Sequence, residues 1–460
     1  MDNKRITVNK ITEICRGQLI IGNKSLEVNS YSKDSRTIKS QEMYIAIKGE
    51  KVDGNDFIEA ALENGAIGCI TDREVRKEIL EKFSNKVIIK VEDTIKAIQE
   101  IAKYKRSLYD IPVIAVTGSV GKTSTKDIIA NVLSQKYNVL KTEGNLNNHI
   151  GLPLTLLKLK DHTAVVVEMG MNHFGEISVL TNIAKPTGCV ITNIGTSHIG
   201  NLGSRENILK AKLEILEGLS KEGFVLINND NDLLNKWANE QKEYKVHTYG
   251  IENESEYMVR DITQYESSSS FKINGIKGEV PVGGIHFIYN AACAFGVGDL
   301  LGIEKEKIIK GISEFKLTAK RMDIEVINNS IKIINDSYNA SYDSMKAALE
   351  VMSKTDAKRK IAVLGNMLEL GEYTEELHRK VGEEVVNNKI DVLITVGEYA
   401  KEIAGKAIEL GMDEVYEFNN IEEASNYLKC NLSSGDLVLL KASNSMNFSK
   451  ILEKLKEDLT

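Results

Sequence analysis

Residues 113–125 read VIAVTGSVGKTST, and this stretch decides how the middle of the chain folds. Four of its first five residues are β-branched, which predicts a buried parallel strand. The strand runs into a loop bracketed by Gly118 and Gly121, after which Lys122 and Thr123 open a helix. Glycines let backbone N–H groups approach phosphate oxygens, and a helix N-terminus adds about half a positive charge. The stretch therefore predicts a site for a nucleoside triphosphate, ATP or GTP.

The residue types in this loop match particular atoms of a nucleotide. The Lys122 ammonium would reach the outer phosphates, and the Thr123 hydroxyl would bind Mg²⁺. The general pattern places a glycine where this chain has Val116, so a chance Gly-Lys-Thr sequence in a loop is the alternative. The strand before the loop and the helix after it favour the nucleotide site. The residues predicted to line that site are Gly118, Ser119, Val120, Gly121, Lys122, Thr123 and Ser124.

Composition narrows the class of protein. A length of 460 residues predicts about three domains. A hydrophobic content of 42% with 27% charged residues is typical of a soluble globular protein, and the net charge of −7 argues against nucleic acid as a partner. The 5 cysteines are far apart and form no CxxC pair, which indicates a reducing compartment and gives no sign of zinc. We see no signal peptide and no apolar span of membrane length, so we expect a cytoplasmic protein without membrane insertion.

Strand and helix patterns divide the chain into three α/β segments, over residues 1–108, 109–316 and 317–460. Apolar strands alternate with helical stretches, which predicts an α/β fold with parallel sheets and crossover helices. The last segment predicts a smaller, doubly wound sheet. Residues 254–284 are polar and predict short antiparallel strands. The predicted strands in the three segments are 43–47, 66–70 and 87–91; 113–116, 164–167, 190–192 and 224–227; and 361–364, 392–396 and 437–441.

Two ionisable side chains follow predicted strands of the middle segment. Glu168 comes directly after four apolar residues, where it could coordinate a metal ion on the phosphates of a bound nucleotide. A solvated strand end or a helix-capping acid is the alternative. His198 lies in the loop that follows residues 190–192, on the same rim, although a lone loop histidine is usually just exposed.

Lys212 interrupts an apolar face. A helix over residues 208–219 places Ile208 and Ile215 on one side and Lys210 on the opposite side, with Lys212 inside the apolar arc. A buried ammonium is costly unless it is paired or chemically altered. The side chain either reaches past the apolar arc to solvent or is a working lysine near the metal site, one that could carry a modification reversing its charge.

Two loops offer groups for a polar substrate. Ser35 and Arg36 belong to YSKDSR, in which an arginine beside hydroxyl donors could fork onto a diphosphate. Asn147 and Asn148 belong to TEGNLNNHIG, a loop rich in side-chain amides. An ordinary surface loop is the alternative in both cases.

Together these motifs resemble the Mur ligases, the ATP-dependent enzymes that assemble the peptide of the bacterial cell-wall precursor. The resemblance spans nearly the whole chain, and its motifs occur in the expected order. It implies a UDP-binding domain, a central ATPase domain and a C-terminal Rossmann-like domain. The motifs that carry it are DSR, AIKGEKVDGNDF, TGSVGKTST, GNLNNHIGLPLTLL, VEMGMNHFGEI, NIGTSHIGNLGSRENILKAKLEI, DSYNASYDSM, LGNMLELGEY and LLKASNSM.

The resemblance also implies roles for individual residues. ATP and Mg²⁺ would be held by Lys122 and Thr123, with Glu168 on the metal ion. His198 and Lys212 match positions that serve a second Mg²⁺, where the family lysine is carbamylated. The other residues with implied roles are Asn290 at the adenine, Arg321 and Asp336 at the nucleotide, Ser35 and Arg36 at the UDP group, and Asn147 and Asn148 at the substrate.

The implied activity is formation of an amide bond through an acyl phosphate. The family members that this chain resembles add D-alanyl-D-alanine to UDP-N-acetylmuramoyl-tripeptide, so we expect these two substrates, ATP and Mg²⁺, and a monomer. Another Mur-type ligase or a folylpolyglutamate-type ligase is the first alternative. A P-loop nucleotide switch, which changes shape on hydrolysis, is the alternative from a different class.

Overall fold

The computed structural model describes residues 4–317, 321–328 and 330–459. Up to residue 108 the strands are β1 (Ile6–Thr7), β2 (Gln18–Ile21), β3 (Glu27–Val28), β4 (Ser30–Ser32), β5 (Glu42–Ile45), β6 (Gly68–Thr71) and β7 (Val87–Lys90). The helices there are α1 (Val8–Ile14), α2 (Ile58–Glu63), α3 (Lys77–Lys82) and α4 (Thr94–Ser107), with a 3-10 turn at Gly54–Phe57.

The middle of the chain alternates between strands and helices. Its strands are β8 (Val113–Thr117), β9 (Val139–Lys141), β10 (Ala164–Glu168), β11 (Gly188–Ile191), β12 (Phe224–Asn228), β13 (Lys245–Gly250), β14 (Tyr257–Gln264), β15 (Ser269–Ile273) and β16 (Ile276–Val280). Its helices are α5 (Lys122–Leu133), α6 (Gly151–Leu156), α7 (Glu176–Ala184), α8 (Ile199–Leu202), α9 (Arg205–Leu213), a 3-10 turn at Glu214–Gly218, α10 (Asp232–Glu240), α11 (Ile285–Leu300) and α12 (Lys305–Ser313).

The last part of the chain continues the same alternation. Its strands are β17 (Asp323–Ile327), β18 (Ile331–Asn335), β19 (Arg359–Gly365), β20 (Val392–Val396), β21 (Val415–Phe418) and β22 (Asp436–Lys441). Its helices are α13 (Tyr342–Lys354), a 3-10 turn at Gly371–Tyr373, α14 (Thr374–Asn387), α15 (Lys401–Glu409), α16 (Ile421–Asn431), a 3-10 turn at Asn444–Met446 and α17 (Ser449–Leu459).

The chain folds into two compact units, each built from separate stretches. The first unit comprises the described residues up to Thr117 together with Lys136–Val190 and Leu213–Phe224. It contains a five-stranded sheet in the order β2-β7-β6-β5-β4, parallel except for β2, and a set of strands in the order β11-β8-β10-β9. Strand β10 runs parallel to both β8 and β9.

The second unit comprises Gly118–Gln135, Ile191–Lys212 and the described residues from Val225 onward. Strands β12 to β16 follow one another in order, and β14, β15 and β16 pair antiparallel. A six-stranded sheet has the order β17-β18-β22-β19-β20-β21, parallel except for the edge strand β17. Every residue of β20 and β22 is buried, which is typical of a parallel sheet covered on both faces.

The predicted α/β fold class is confirmed, and the predicted strands lie within a few residues of observed ones. The antiparallel strands expected over residues 254–284 are present as β14 to β16. One helix prediction is wrong in extent: α9 ends at Leu213, and the chain tightens into a 3-10 turn instead of continuing to residue 219. In the described ranges, no helix combines the length and apolar character needed to cross a bilayer.

Candidate functional site

The loop after β8 adopts a backbone conformation that requires glycine. Gly118 has φ +150°, and a Cβ atom added there would lie 1.9 Å from Thr192 Oγ1. Gly121 has φ +83° and occupies the position just before helix α5. The left-handed region is accessible to glycine at little cost, so these two residues allow the tight turn that brings the loop to the helix N-terminus. No acidic side chain lies in the first turn of α5, which leaves this end of the helix favourable for an anion.

The chain after β11 supports this loop from the side. Asn193 accepts the Ser119 N–H with its backbone oxygen at 3.0 Å and the Val120 N–H with its side-chain oxygen at 2.9 Å. Thr192 Oγ1 donates to the Val120 oxygen at 2.7 Å. The Gly195 N–H donates to Ser119 Oγ at 2.9 Å. Residues 118–121, called the phosphate loop below, are therefore held in place by hydrogen bonds in the absence of a ligand.

Lys122 and Thr123 face the loop and the C-terminal part of the second unit. Lys122 Nζ donates to the backbone oxygens of Gly118 at 2.8 Å and Ser119 at 3.2 Å, so its ammonium lies over the loop. Thr123 Oγ1 accepts a hydrogen bond from Arg321 Nη2 at 3.2 Å. The Arg321 guanidinium stacks 3.8 Å from the ring centre of Tyr338, which keeps this cation near the phosphate loop.

A buried ion pair contacts the residue that follows this arginine in the chain. Asp336 Oδ2 contacts Lys441 Nζ at 2.5 Å, and Asp336 Oδ1 accepts the Met322 N–H at 3.2 Å. Lys441 is 2% exposed; burial lowers the pKa of its amine, and the Asp336 carboxylate opposes that shift. The sequence analysis predicted Asp336 but missed Lys441. A lysine that ends an otherwise apolar strand is the signal that could have found it.

Asn290 contacts the helix that follows the phosphate loop. Its Oδ1 accepts a hydrogen bond from Thr125 Oγ1 at 2.9 Å, and a Cβ atom added at Gly121 would lie 3.3 Å from the same oxygen. Ser124 is half-buried in the first turn of α5. The structure therefore brings Asn290 to the start of α5, where the sequence analysis expected the nucleotide.

His198 lies in the loop that follows β11 and contacts a residue far away in sequence. It has φ +64°, and its Nδ1 lies 2.5 Å from Glu369 Oε2. Nearby, Asp343 Oδ2 accepts both the backbone N–H of Thr196 at 2.9 Å and its hydroxyl at 3.0 Å. The sequence analysis missed Glu369 and Asp343, because neither stands out in its own local sequence.

Lys212 is buried at the C-terminal end of α9, with 2% of its surface exposed, whereas Lys210 is exposed. Burial lowers the pKa of the Lys212 amine well below its ordinary value, and the positive charge of Lys122 lowers it further. No carboxylate contributes to this pKa shift in the part of the chain that the structure describes. Burial thus favours the uncharged form of the Lys212 amine, the form that can act as a nucleophile.

Glu168 belongs to the first unit and is buried, with 3% of its surface exposed. It is the last residue of β10 and not the residue after the strand. Its Oε1 accepts a hydrogen bond from Asn147 Nδ2 at 2.8 Å, and its backbone N–H donates to Thr142 Oγ1 at 3.0 Å. Two predicted site residues, Glu168 and Asn147, are thus in direct contact.

The remaining predicted residues of the first unit differ in exposure. Arg36 has an 85% exposed side chain that forks onto Asp34, and this pair lowers the pKa of the Asp34 carboxyl to about 2. Ser35 is buried. Asn148 is exposed, and its Oδ1 accepts the N–H groups of Ile150 and Gly151 at the start of α6.

The second unit thus brings the phosphate loop together with Asn290 and Arg321. The positive charge of Lys122 also contributes to the lowered pKa of Lys212. Within the described residues, no group of three or more His, Cys, Asp or Glu side chains could hold a metal ion. Mg²⁺ usually binds through one or two carboxylates together with substrate phosphates and water, so such a cluster is not required for it.

Comparison with known proteins covers the whole chain. Three family profiles match in succession: "Mur ligase family, catalytic domain" over residues 27–106, "Mur ligase middle domain" over 116–298 and "Mur ligase, glutamate ligase domain" over 320–444. A Bacillus subtilis protein named UDP-N-acetylmuramoyl-tripeptide–D-alanyl-D-alanine ligase is 39% identical over 460 residues, which is 98% of each chain.

Solved structures give the same likeness in three dimensions. The crystal structure of MurF from Acinetobacter baumannii matches with a TM-score of 0.89 and 27% identity, over 99% of this chain and 100% of that one. The MurF ligase of Thermotoga maritima in complex with ADP matches with a TM-score of 0.81 and 28% identity, over 94% of this chain and 98% of that one.

Proposed function

The chain belongs to the Mur ligase family, and from that premise we propose that it is an ATP-dependent ligase joining D-alanyl-D-alanine to UDP-N-acetylmuramoyl-tripeptide in peptidoglycan precursor synthesis. The observation that carries the proposal is the extent of the likeness. A relative with this activity in its name aligns with 98% of the chain. A phosphate loop alone would not suffice, because the same loop serves many unrelated functions.

The phosphate loop fits ATP. Its glycines permit close approach of a triphosphate, the N-terminus of α5 favours anions, and Lys122 already lies over the loop. ATP supplies activation: its γ-phosphoryl group passes to the terminal carboxylate of the tripeptide, and the dipeptide amine displaces phosphate from the resulting acyl phosphate. Because a carboxylate and a triphosphate repel each other, Lys122 and Arg321 serve to neutralise charge as they meet. Asn290 faces the adenine, and Asp336 contributes to the nucleotide site together with Arg321.

Mg²⁺ is the metal ion in this proposal: Thr123 in the second unit would offer a hydroxyl, and Glu168 in the first unit would offer a carboxylate. A buried carboxylate and a hydroxyl provide the hard oxygen donors that Mg²⁺ prefers. His198 and Lys212 serve a second ion, with Lys212 as a carbamate. In its unprotonated form the amine would attack CO₂: a C–N bond forms as one C=O π bond opens and one proton is released, which would turn the buried amine into an anion able to bind metal. The support for this step is the buried position of Lys212 and the lowered pKa of its amine.

We further propose a division of labour along the chain. Residues 1–108 hold the UDP group through Ser35 and Arg36, residues 109–316 hold ATP and contact the substrate through Asn147 and Asn148, and residues 317–460 complete the ligase as a Rossmann-like domain. The enzyme acts as a monomer in the cytoplasm.

Product analysis tests this function directly. Purified protein is incubated with ATP, Mg²⁺, D-alanyl-D-alanine and a UDP-N-acetylmuramoyl-tripeptide that ends in either diaminopimelate or lysine. We expect an amide product by mass spectrometry and one phosphate released per amide formed. The matched control is L-alanyl-L-alanine, which should give little product.

Two other outcomes would overturn the proposal. Phosphate release that is indifferent to both substrates would indicate a nucleotide switch. Amide formation with glutamate on a folate, or with a single amino acid on a shorter UDP-linked precursor, in preference to the dipeptide would indicate another ligase of the same superfamily.

A further inference from the structure

Two loops of the second unit contact each other at His198. One is the rim loop, residues 196–203 after β11, and the other is the support loop, residues 366–373 after β19. Glu369 makes two of the contacts: its side chain lies 2.5 Å from His198 Nδ1, and its backbone oxygen accepts the Gly200 N–H at 3.0 Å. Tyr373 OH donates to the Gly203 oxygen at 2.7 Å. A carboxylate and two backbone contacts thus fix the rim loop around the histidine.

Both residues of the central contact have an unusual backbone conformation. His198 has φ +64° and Glu369 has φ +63°, in the left-handed region that costs energy for residues other than glycine. The loops also pack closely, because a Cβ atom added at Gly200 would lie 2.5 Å from the Gly371 nitrogen. Strain of this kind persists only where surrounding contacts hold it, and it concentrates at functional sites.

The support loop receives such contacts just before Glu369. Three successive backbone N–H groups donate to side chains from other elements: Asn366 to Met446 Sδ, Met367 to His378 Nε2 and Leu368 to Ser443 Oγ, each at 3.0 Å. His378 is fully buried and donates from Nδ1 to the Thr374 oxygen at 2.6 Å. His378 Nε2 accepts the Met367 N–H while Nδ1 donates to the Thr374 oxygen, and burial lowers the pKa of the ring. Hydrogen bonds within the C-terminal part of the chain therefore hold the backbone just before Glu369, independently of the contact with His198.

We propose that Glu369 is a positioning residue for His198. Its carboxylate accepts the Nδ1–H and so selects the tautomer in which Nε2 carries the lone pair, the form that can bind a cation. The metal-binding consequence rests on the proposed function, in which His198 serves a Mg²⁺ ion. The effect on the tautomer concerns the protein alone and does not depend on it.

The tautomer is tested on the ligand-free protein. In protein labelled with ¹⁵N at its 7 histidines, the His198 signals are assigned from their loss in His198→Asn. We expect wild-type protein at mildly alkaline pH to show a protonated Nδ1 and an unprotonated Nε2. Glu369→Ala should give a mixture of tautomers, and Glu369→Gln, whose amide oxygen can still accept, should retain most of the wild-type form. Unchanged His198 signals in Glu369→Ala would overturn the proposal.

Metal affinity provides the second readout. Mn²⁺ replaces Mg²⁺ and is titrated by electron paramagnetic resonance in the presence of a non-hydrolysable ATP analogue. Loss of a carboxylate that orients a ligating histidine costs about 10- to 100-fold, so we expect Glu369→Ala to weaken Mn²⁺ by that factor and Glu369→Gln by less. Glu372→Gln, an exposed glutamate of the same loop, should match wild type. Equal losses in the Glu369 and Glu372 variants would indicate a merely structural role. A changed tautomer in a protein that makes no amide would count against the proposed function while leaving the role of Glu369 intact.

Discussion

At the scale of single residues, Lys212 combines an unfavourable position with a proposed chemical role. An uncompensated amine in the interior lowers stability, because the folded state must keep it neutral or pay to bury a charge. We expect Lys212→Met to abolish ligation but to raise the melting temperature at neutral pH in buffer free of CO₂, because methionine fills the apolar position without a group whose charged form the interior disfavours. Differential scanning fluorimetry measures the change, and Lys210→Met on the exposed side is the control.

The pH dependence of this difference has a defined sign. The folded-state pKa of Lys212 lies below its unfolded value of 10.5, so the unfolded chain binds the extra proton. The stability that Lys212 costs therefore shrinks as the pH rises from neutral towards 10.5, where the unfolded chain also loses the proton. A difference in melting temperature between wild type and Lys212→Met that stays constant from neutral to alkaline pH would contradict the lowered pKa of Lys212.

Arg36 is the opposite case, an exposed residue whose loss should leave folding unchanged. Its side chain is 85% exposed, and an exposed ion pair such as Arg36–Asp34 adds little stability. We expect Arg36→Ala to raise the KM for the UDP-linked tripeptide at least about tenfold, the effect of losing one charged hydrogen bond, with kcat and melting temperature nearly unchanged. Arg76→Ala, which removes another exposed arginine paired with a glutamate, is the control. An unchanged KM would remove Arg36 from the substrate site.

At the scale of elements, the phosphate loop depends on one glycine. A methyl group at Gly118 would overlap Thr192 Oγ1 in a backbone conformation that alanine avoids. We expect Gly118→Ala to weaken binding of a fluorescent ATP analogue by more than about tenfold, because such strain costs about 1–3 kcal/mol. The control is Gly405→Ala, which adds a methyl group in open space on helix α15 and should stabilise the protein by about 1 kcal/mol. Normal nucleotide binding by Gly118→Ala would show that the loop rearranges freely.

Local patterns predicted the elements well wherever a strand is buried on both faces. Strand β20 was predicted to the residue, and β8 to within one, because an unbroken β-branched or apolar run has few other structures. The predicted helix over residues 208–219 is wrong in its C-terminal half. The prediction assumed the α-helical period throughout, whereas the chain tightens to a 3-10 turn after Leu213. Even so, Lys212 precedes that change, and its burial confirms its place on the apolar side of the helix; the sequence had left open whether the amine reaches solvent.

Contacts between distant residues could not be predicted in this way. His198 and Glu369 are 171 positions apart, Thr196 and Asp343 are 147 apart, and Asp336 and Lys441 are 105 apart. Their meeting depends on sheet order and on loop conformation, which one sequence does not specify. The phosphate loop could be predicted because its residues are adjacent in the chain. Glu369 and Lys441 were missed because the residues that they contact lie far from them in the sequence.

At the scale of the whole molecule, the residues proposed to hold the UDP group and those proposed to hold the triphosphate lie in different compact units. Ser35 and Arg36 belong to the first unit, and the phosphate loop and Lys122 belong to the second. A ligand that binds only the folded state stabilises it by RT ln(1 + [L]/Kd), about 2.7 kcal/mol at 100 times Kd. Each ligand should therefore stabilise the folded protein even when a residue proposed to bind the other ligand is substituted.

Scanning calorimetry with single-site variants tests this separation. In wild type we expect a non-hydrolysable ATP analogue with Mg²⁺ and the UDP-linked tripeptide each to raise the melting temperature. Lys122→Ala should lose the shift caused by the nucleotide and retain the shift caused by the tripeptide, because only the nucleotide phosphates need that cation. Arg36→Ala should reduce the shift caused by the tripeptide and retain the shift caused by the nucleotide, and Lys210→Ala should retain both shifts. Loss of both shifts in either Lys122→Ala or Arg36→Ala would mean that the two ligands share one site, which would contradict the division of labour proposed for this chain.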